Sequence, residues 1–170
     1  MIVLGIDPGL ANTGYGVVAR RDGRLVALDG GVVRTAAASS VEQRLGELHD
    51  ALSALLLEHA PTAMALETLY FGQNVRTAFA VGQARGVAML CAGQHRVECF
   101  AYTPQQVKGA VCGNGRAPKD QVARMVAALL GLAETPFSDH ASDALAVAIA
   151  HANHAPLARS VAAAEAVSAR

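Results

Sequence analysis

Four residues of this chain have side chains suited to holding divalent cations: Asp7, Glu67, His140 and Asp143. Asp7 ends the apolar run Ile2–Ile6, and Glu67 ends the run Ala63–Leu66. Asp143 stands directly before Ala144-Leu145-Ala146-Val147, and His140 lies three residues before it. Parallel strands of an α/β sheet bring their carboxyl ends to one edge, where ligands bind. A helix packed on that edge can add a third acid, and residues three apart share a helix face. Hard divalent ions prefer carboxylate oxygens. Two such ions ~3.5–4 Å apart stabilise the attacking water and the leaving oxygen of a phosphodiester. Clustered acids without a cation repel one another and are harder to ionise, so the pattern implies cations. Plainer readings stand beside this one. Asp7-Pro8-Gly9 is also a common turn. His140 and Asp143 would equally serve as solvated or capping groups near a helix start, and Asp139 is the natural first-turn acid there.

The elements that must position these residues are readable from periodicity. Residues 2–6 read as a buried strand, Tyr15–Ala19 as a second, and Asp22-Gly23 as the turn into a third that begins at Leu25. Val41, Leu45, Leu48, Leu52 and Leu55 form one face of an amphipathic helix. Ala63–Leu66 is a short strand, residues 74–93 a helix containing Gly82 and Gly86, and Val97–Tyr102 a further strand. Glycines four apart let a second helix approach, which suggests a dimer seam. Pro104 suits the first turn of a helix, and Gly113-Asn114-Gly115 breaks it. Pro118 starts another, with Val122, Met125, Val126 and Leu129 inward. The last core helix spans about Asp139–Ala152. The expected architecture is a mixed α/β sheet, antiparallel first and then joined by crossover helices. Residues 1–155 form one domain, and 156–170 an alanine-rich, loosely held tail, helical or disordered.

Composition narrows the class. At 170 residues with 52% hydrophobic content and 16% charged, the chain forms a packed domain and is not a disordered one. A net charge of zero argues against coating nucleic acid through a uniformly basic surface. The stretch 96–125 is nonetheless basic: Arg96, Lys108, Arg116, Lys119 and Arg124 face only Glu98 and Asp120. Cys91, Cys99 and Cys112 are odd in number and lack C-x-x-C spacing, which suggests reduced thiols and a cytoplasmic location. No apolar run reaches the ~18 residues of a membrane span.

Taken in order, Gly5-Ile6-Asp7-Pro8-Gly9, Thr13-Gly14-Tyr15-Gly16, Leu66-Glu67, Gly82-Gln83-Ala84-Arg85-Gly86, Gln106-Val107-Lys108 and Ser142-Asp143-Ala144-Leu145-Ala146 resemble the RuvC-type Holliday junction resolvases. The resemblance covers roughly residues 1–155. It implies an RNase H-like fold with a mixed five-stranded sheet flanked by helices. It implies a dimeric endodeoxyribonuclease that makes paired symmetric nicks in four-way junction DNA during recombination and repair. The nicks leave 5′-phosphate and 3′-hydroxyl ends, with a preference for a short T-rich sequence. It implies Mg²⁺ or Mn²⁺, two per site, and cooperation with the RuvA–RuvB branch-migration complex. The family's metal positions fall on Asp7, Glu67, His140 and Asp143. Many members carry aspartate where this chain has His140, which opens the preference between Mn²⁺ and Mg²⁺ and allows a base role for the imidazole. The resemblance places an aromatic wedge at Tyr70, beside Phe71, where a ring could stack on an unpaired base. Its basic positions are Lys108 and Lys119, flanking the loop that carries Arg116; these suit phosphates but also describe an ordinary solvated loop.

Three other functions share parts of this pattern. An actin-like or sugar-kinase ATPase also opens with an Asp-containing glycine turn, but needs two related domains. A YqgF-type nuclease of the same fold would act on RNA. A junction-binding protein without catalysis would have no physical reason to keep a costly acidic cluster near phosphates. His151 and His154, at i, i+3 near an expected helix end, suit the macrodipole better than a metal. His49, His59 and His95 have no evident partners, and Arg85 is compatible with DNA or a carboxylate.

Overall fold

Alternation along the first strand decides the architecture. In β1 (Ile2–Asp7) the side chains of Leu4 and Ile6 join one core cluster and Val3 joins another, on the opposite face of the sheet. Period-two alternation puts Gly5 and Asp7 on the same face as Val3. β2 (Asn12–Arg21) pairs antiparallel with β1, and β3 (Arg24–Arg34) pairs antiparallel with β2. α1 (Val41–His59) leads to β4 (Ala63–Glu67), parallel to β1, and α2 (Val75–Gln94) leads to β5 (Glu98–Tyr102), parallel to β4. The spatial order is β3-β2-β1-β4-β5. Three helices follow: α3 (Pro104–Cys112), α4 (Lys119–Leu130) and α5 (Asp139–Ser168). This computed structural model describes residues 1–68, 75–132 and 138–168, of which 75–77 and 155–168 are described by their backbone. The mixed five-stranded sheet flanked by helices is the one expected.

Each face of the sheet has its own core. Leu48, Leu52, Leu55 and Leu56 of α1, with Ala84, Ala88 and Cys91 of α2, cover Leu4, Ile6, Val17, Met64 and Leu66. The other face carries α3, α4 and α5 over Val3, Val18 and Ala65. The α1 stripe differs from expectation at its start: Val41 is exposed, and the buried stripe begins at Leu48. In α4 the fully buried stripe is Val122, Val126, Ala127 and Leu130, while Met125 and Leu129 pack at its margin.

α5 is buried all round from Ala141 to Ala152, apart from the part-exposed Asp143. A helix apolar on every side lies inside a core. It lies directly on the glycines of β1 and β2. A Cβ at Gly5 would strike the Ala144 carbonyl and come within 2.8 Å of the Ala148 nitrogen. One at Gly14 would strike the His140 carbonyl, and one at Gly16 would meet the Leu145 side chain at 2.6 Å. Gly5 pairs with Gly16, and Asp7 with Gly14, so the three glycines form one lane across two strands. The backbone of α5 continues through Ser168, so His151 and His154 lie within the helix and not at its end.

The lane predicts opposite outcomes for two alanine substitutions. Gly5→Ala must push α5 off the sheet and should cost about 1–3 kcal/mol or more, as overpacked cores do. Gly46→Ala, in exposed α1 with nothing near its missing Cβ, should be neutral or gain up to ~1 kcal/mol of helix propensity. Urea unfolding of the two variants measures both; equal midpoints would remove the lane as a constraint.

Candidate active site

Strand register builds the first half of the site. β1 and β4 pair in parallel up to Ile6–Leu66, and the next residue on each is a carboxylate, Asp7 and Glu67. Both follow the face of Val3 and Ala63, the α5 side. Asp7 is held by its turn: the buried Thr13 hydroxyl donates to the Gly9 carbonyl at 2.6 Å. Glu67 is held through its backbone: Arg85 Nη1 donates to the Glu67 carbonyl at 2.7 Å, and the Thr68 N–H donates to the Tyr102 carbonyl at 2.7 Å. Among the described residues, Arg85 therefore serves the strand end and pairs with no carboxylate side chain.

α5 supplies the second half. Seated over Gly14, His140 reaches Asp7, with Nδ1 2.8 Å from Asp7 Oδ2. A carboxylate only accepts, so Nδ1 is the donor in this contact and Nε2 is left facing away from Asp7 Oδ2. Asp143, one turn on, faces a cleft of about 270 Å³ lined by Glu67, Lys108, Lys119 and Asp143 with apolar walls from α3, α4 and α5. Lys119 Nζ stands 3.1 Å from Asp143 Oδ2 and 3.3 Å from Asp139 Oδ2.

The electrostatics are those of crowded acids. Burial first, then the charges of Asp7 and Asp143, push the Glu67 carboxyl above its ordinary range against the pull of Lys108 and Lys119. Burial likewise pushes Asp143 up, outweighing its bond to Lys119. Burial would lower Lys119, but the bonds and charges of Asp143 and Asp139 raise it. Among the described residues no three histidine, cysteine or carboxylate side chains close into an ion cage as they stand. Asp7 is turned to His140 and Asp143 to Lys119, the protein's own donors. The donor types fit a hard divalent ion: Glu67 and Asp143 line one cleft, both are pushed up chiefly by burial, and both feel the charge of Asp7.

The other sequence candidates divide. Lys108 and Lys119 line the cleft with the acids. Arg116 is exposed on the turn between α3 and α4, outside that lining, with its N–H bonded to Asn114 Oδ1 at 3.0 Å. Gly113 in that turn caps α3, its N–H donating to Gly109 at 2.9 Å with φ 70°. Arg124 is tied to Asp120 at 2.8 Å, so little of the basic stretch reaches the acids. Tyr70 and Phe71 lie outside the described residues. His151 bonds Tyr102 Oη through Nδ1 at 2.8 Å and packs on Phe100, and His154 stacks on Tyr102. His49 and His59 do have partners, Gln94 at 2.8 Å and Asp29 at 3.2 Å. Asp139, read from sequence as a first-turn acid, was missed as a partner of Lys119. Nothing in the spacing signals that contact, because it crosses between α4 and α5.

The chain is similar to known proteins along most of its length. Residues 3–151 match the family model described as crossover junction endodeoxyribonuclease RuvC. Crossover junction endodeoxyribonuclease RuvC of Alkaliphilus oremlandii is 47% identical over 153 residues, covering 90% of this chain and 93% of that protein. Its counterpart in Moorella thermoacetica is 49% identical over 156 residues, covering 92% and 93%. Among solved structures, Thermus thermophilus RuvC superposes with a TM-score of 0.88 at 38% identity, covering 93% of this chain and 97% of that one. The same protein in complex with Holliday junction substrate gives 0.88 at 39% identity, covering 93% and 96%.

The raised carboxyls make the site a source of instability that one change can relieve. A group whose folded pKa lies above its unfolded value favours folding below the unfolded value and loses that contribution as pH rises through the folded one. Glu67→Gln should therefore raise the melting temperature of the chelator-treated protein at neutral pH. The gain should shrink as pH falls toward the ordinary range of a glutamate carboxyl. A melting temperature unchanged or lowered at pH 7 and independent of pH would contradict the crowding of charge at Glu67.

Proposed function

The chain belongs to the RuvC family of crossover junction endodeoxyribonucleases, and from that premise we propose how its own side chains resolve a Holliday junction. Asp7, Glu67 and Asp143 hold two divalent cations, Mg²⁺ or Mn²⁺, and His140 stands beside them. When bound, such ions act as Lewis acids on the attacking water and the departing 3′ oxygen. Asp7 fixes the His140 tautomer through Nδ1, which leaves Nε2 to take a proton or to serve as a further ligand. Lys108 and Lys119 hold phosphate oxygens in the cleft, and Arg116 contacts the backbone from the neighbouring turn. Tyr70, with Phe71 beside it, stacks on an unpaired base of the junction. The products are 5′-phosphate and 3′-hydroxyl ends, cut within a short T-rich sequence.

A homodimer supplies two such sites to a symmetric substrate. The outer face of α2 supports this reading. Phe79, Met89 and Leu90 are 69%, 47% and 55% exposed at helical spacing around Gly86, whose missing Cβ meets nothing. Large apolar side chains grouped with an exposed glycine mark a helix-to-helix contact. Residues 1–155 carry the nuclease, and 156–170 form a tail outside it. No described helix is long and apolar enough to cross a membrane. We place the enzyme in the cytoplasm, working with the RuvA–RuvB branch-migration complex.

The observation that carries this reading is the placing of Asp7 and Glu67 at adjacent parallel strand ends, with His140 on Asp7 and with Asp143, Lys108 and Lys119 lining the cleft of Glu67. Asp7→Asn should abolish nicking of a synthetic four-way junction, a loss of at least about 10³-fold, because several kcal/mol of electrostatic stabilisation goes with it. Junction affinity in a gel-shift assay should stay within a few-fold of wild type. Nicking retained by this variant would take Asp7 out of the chemistry. Leu90→Glu should convert the dimer to monomer at micromolar concentration by sedimentation; an unaltered dimer would move the interface elsewhere.

A further inference from the structure

Lys119 is the cation that already occupies the acidic cluster. Its ammonium bridges Asp143 Oδ2 at 3.1 Å and Asp139 Oδ2 at 3.3 Å, and those two acids sit one helical turn apart on α5. The side chain comes from a different element, the first residue of α4, and is 59% exposed. Asp143 is 35% exposed and Asp139 85% exposed, so the bridge runs from the recessed cluster to open solvent. Lys108 lines the same cleft and is the natural comparison, because it makes no ion pair with either acid among the described contacts.

We propose that Lys119 is a displaceable counter-ion, and that divalent cation loading moves its ammonium off Asp143, leaving it tethered to Asp139 at the mouth of the cleft. This rests on the cation-binding role proposed above for Asp143. The lysine side of this pair is mostly in solvent, and such pairs are weak, so a divalent ion can replace it without breaking the fold. Asp139 then acts as a positioning residue: it touches neither cation nor substrate, but keeps the released ammonium where a phosphate enters. Because Lys119 cannot serve Asp143 and a phosphate at once, cation and DNA each favour the other's binding. Such coupling is reciprocal by linkage.

The test needs no cleavage and no DNA. Mn²⁺ binding to the full chain is titrated calorimetrically for wild type, Lys119→Met, Lys108→Met and Asp7→Asn. Loss of one nearby positive charge favours cation binding generally, so Lys108→Met sets that background. Lys119→Met should bind Mn²⁺ more tightly than Lys108→Met by at least about five-fold, the lower end of site-to-site couplings. Equal affinities for the two methionine variants would overturn the displacement. In wild-type protein, the ¹⁵N signal of the Lys119 ammonium should shift on saturation with Mg²⁺; an unmoved signal would overturn it equally. Weakened Mn²⁺ binding in Asp7→Asn alongside either negative result would leave the cation site standing and remove only the counter-ion role. Mn²⁺ binding insensitive to Asp7→Asn would fail both.

Discussion

The contact between α5 and the glycine lane of β1 and β2 sets everything else in the site. Asp7 and Glu67 end neighbouring parallel strands, so the sheet alone brings two carboxylates together. The third acid and the histidine come from a helix that must lie almost on the sheet backbone to reach them. Any side chain at Gly5 or Gly14 would hold that helix away. The usual spacing between a helix and a sheet is set by side chains; here the near absence of side chains on the sheet removes the spacer. The alanines of α5, with Ala144 and Ala148 at the contact, do the same from the other side.

That geometry carries a cost which the rest of the domain absorbs. Burial and mutual repulsion push Glu67 and Asp143 toward protonation, against the folded state at neutral pH. The two hydrophobic clusters on either side of the sheet hold the strands and α5 in place regardless. Fixed acids in a low-dielectric cleft are what a cation site requires, since groups that must reorganise on binding bind more weakly. The same rigidity explains why the protein's own donors occupy the acids. His140 satisfies Asp7 and Lys119 satisfies Asp143, which limits the penalty without collapsing the site.

Much of this was legible in the sequence, and the residues explain where legibility stopped. The apolar runs ending in Asp7 and Glu67 gave strand ends because a continuous buried strand has few other readings. The glycines of Gly14 and Gly16 were visible as motif members, but their function as a seat for α5 depends on register, which one strand's sequence does not contain. The order of helices after β5 was readable from Pro104 and Pro118, both helix-start residues. The pairing of His151 with Tyr102 was not, because it joins β5 to α5 across the sheet face. Its expected place near a helix end was wrong because alanine carries the helix on to Ser168. Charge spacing showed the net basic stretch but not its contacts: Arg124 pairs with Asp120 on its own helix, while Lys119 reaches across to α5.

The helix also sets the scale of the chemistry. His140 and Asp143 are three residues apart, a separation of about 4.5 Å along a helix axis at ~1.5 Å per residue. That step sets His140 beside Asp7 at one end and Asp143 on the cleft it shares with Glu67 at the other. A carboxylate at either helical position would serve the same spacing, whereas a shift of α5 by one residue would rotate both groups by about 100°, since ~3.6 residues complete a turn. The glycine lane is thus a register device as much as a packing one. It fixes which residue of α5 faces Asp7, and with that, which chemistry the sheet edge can perform.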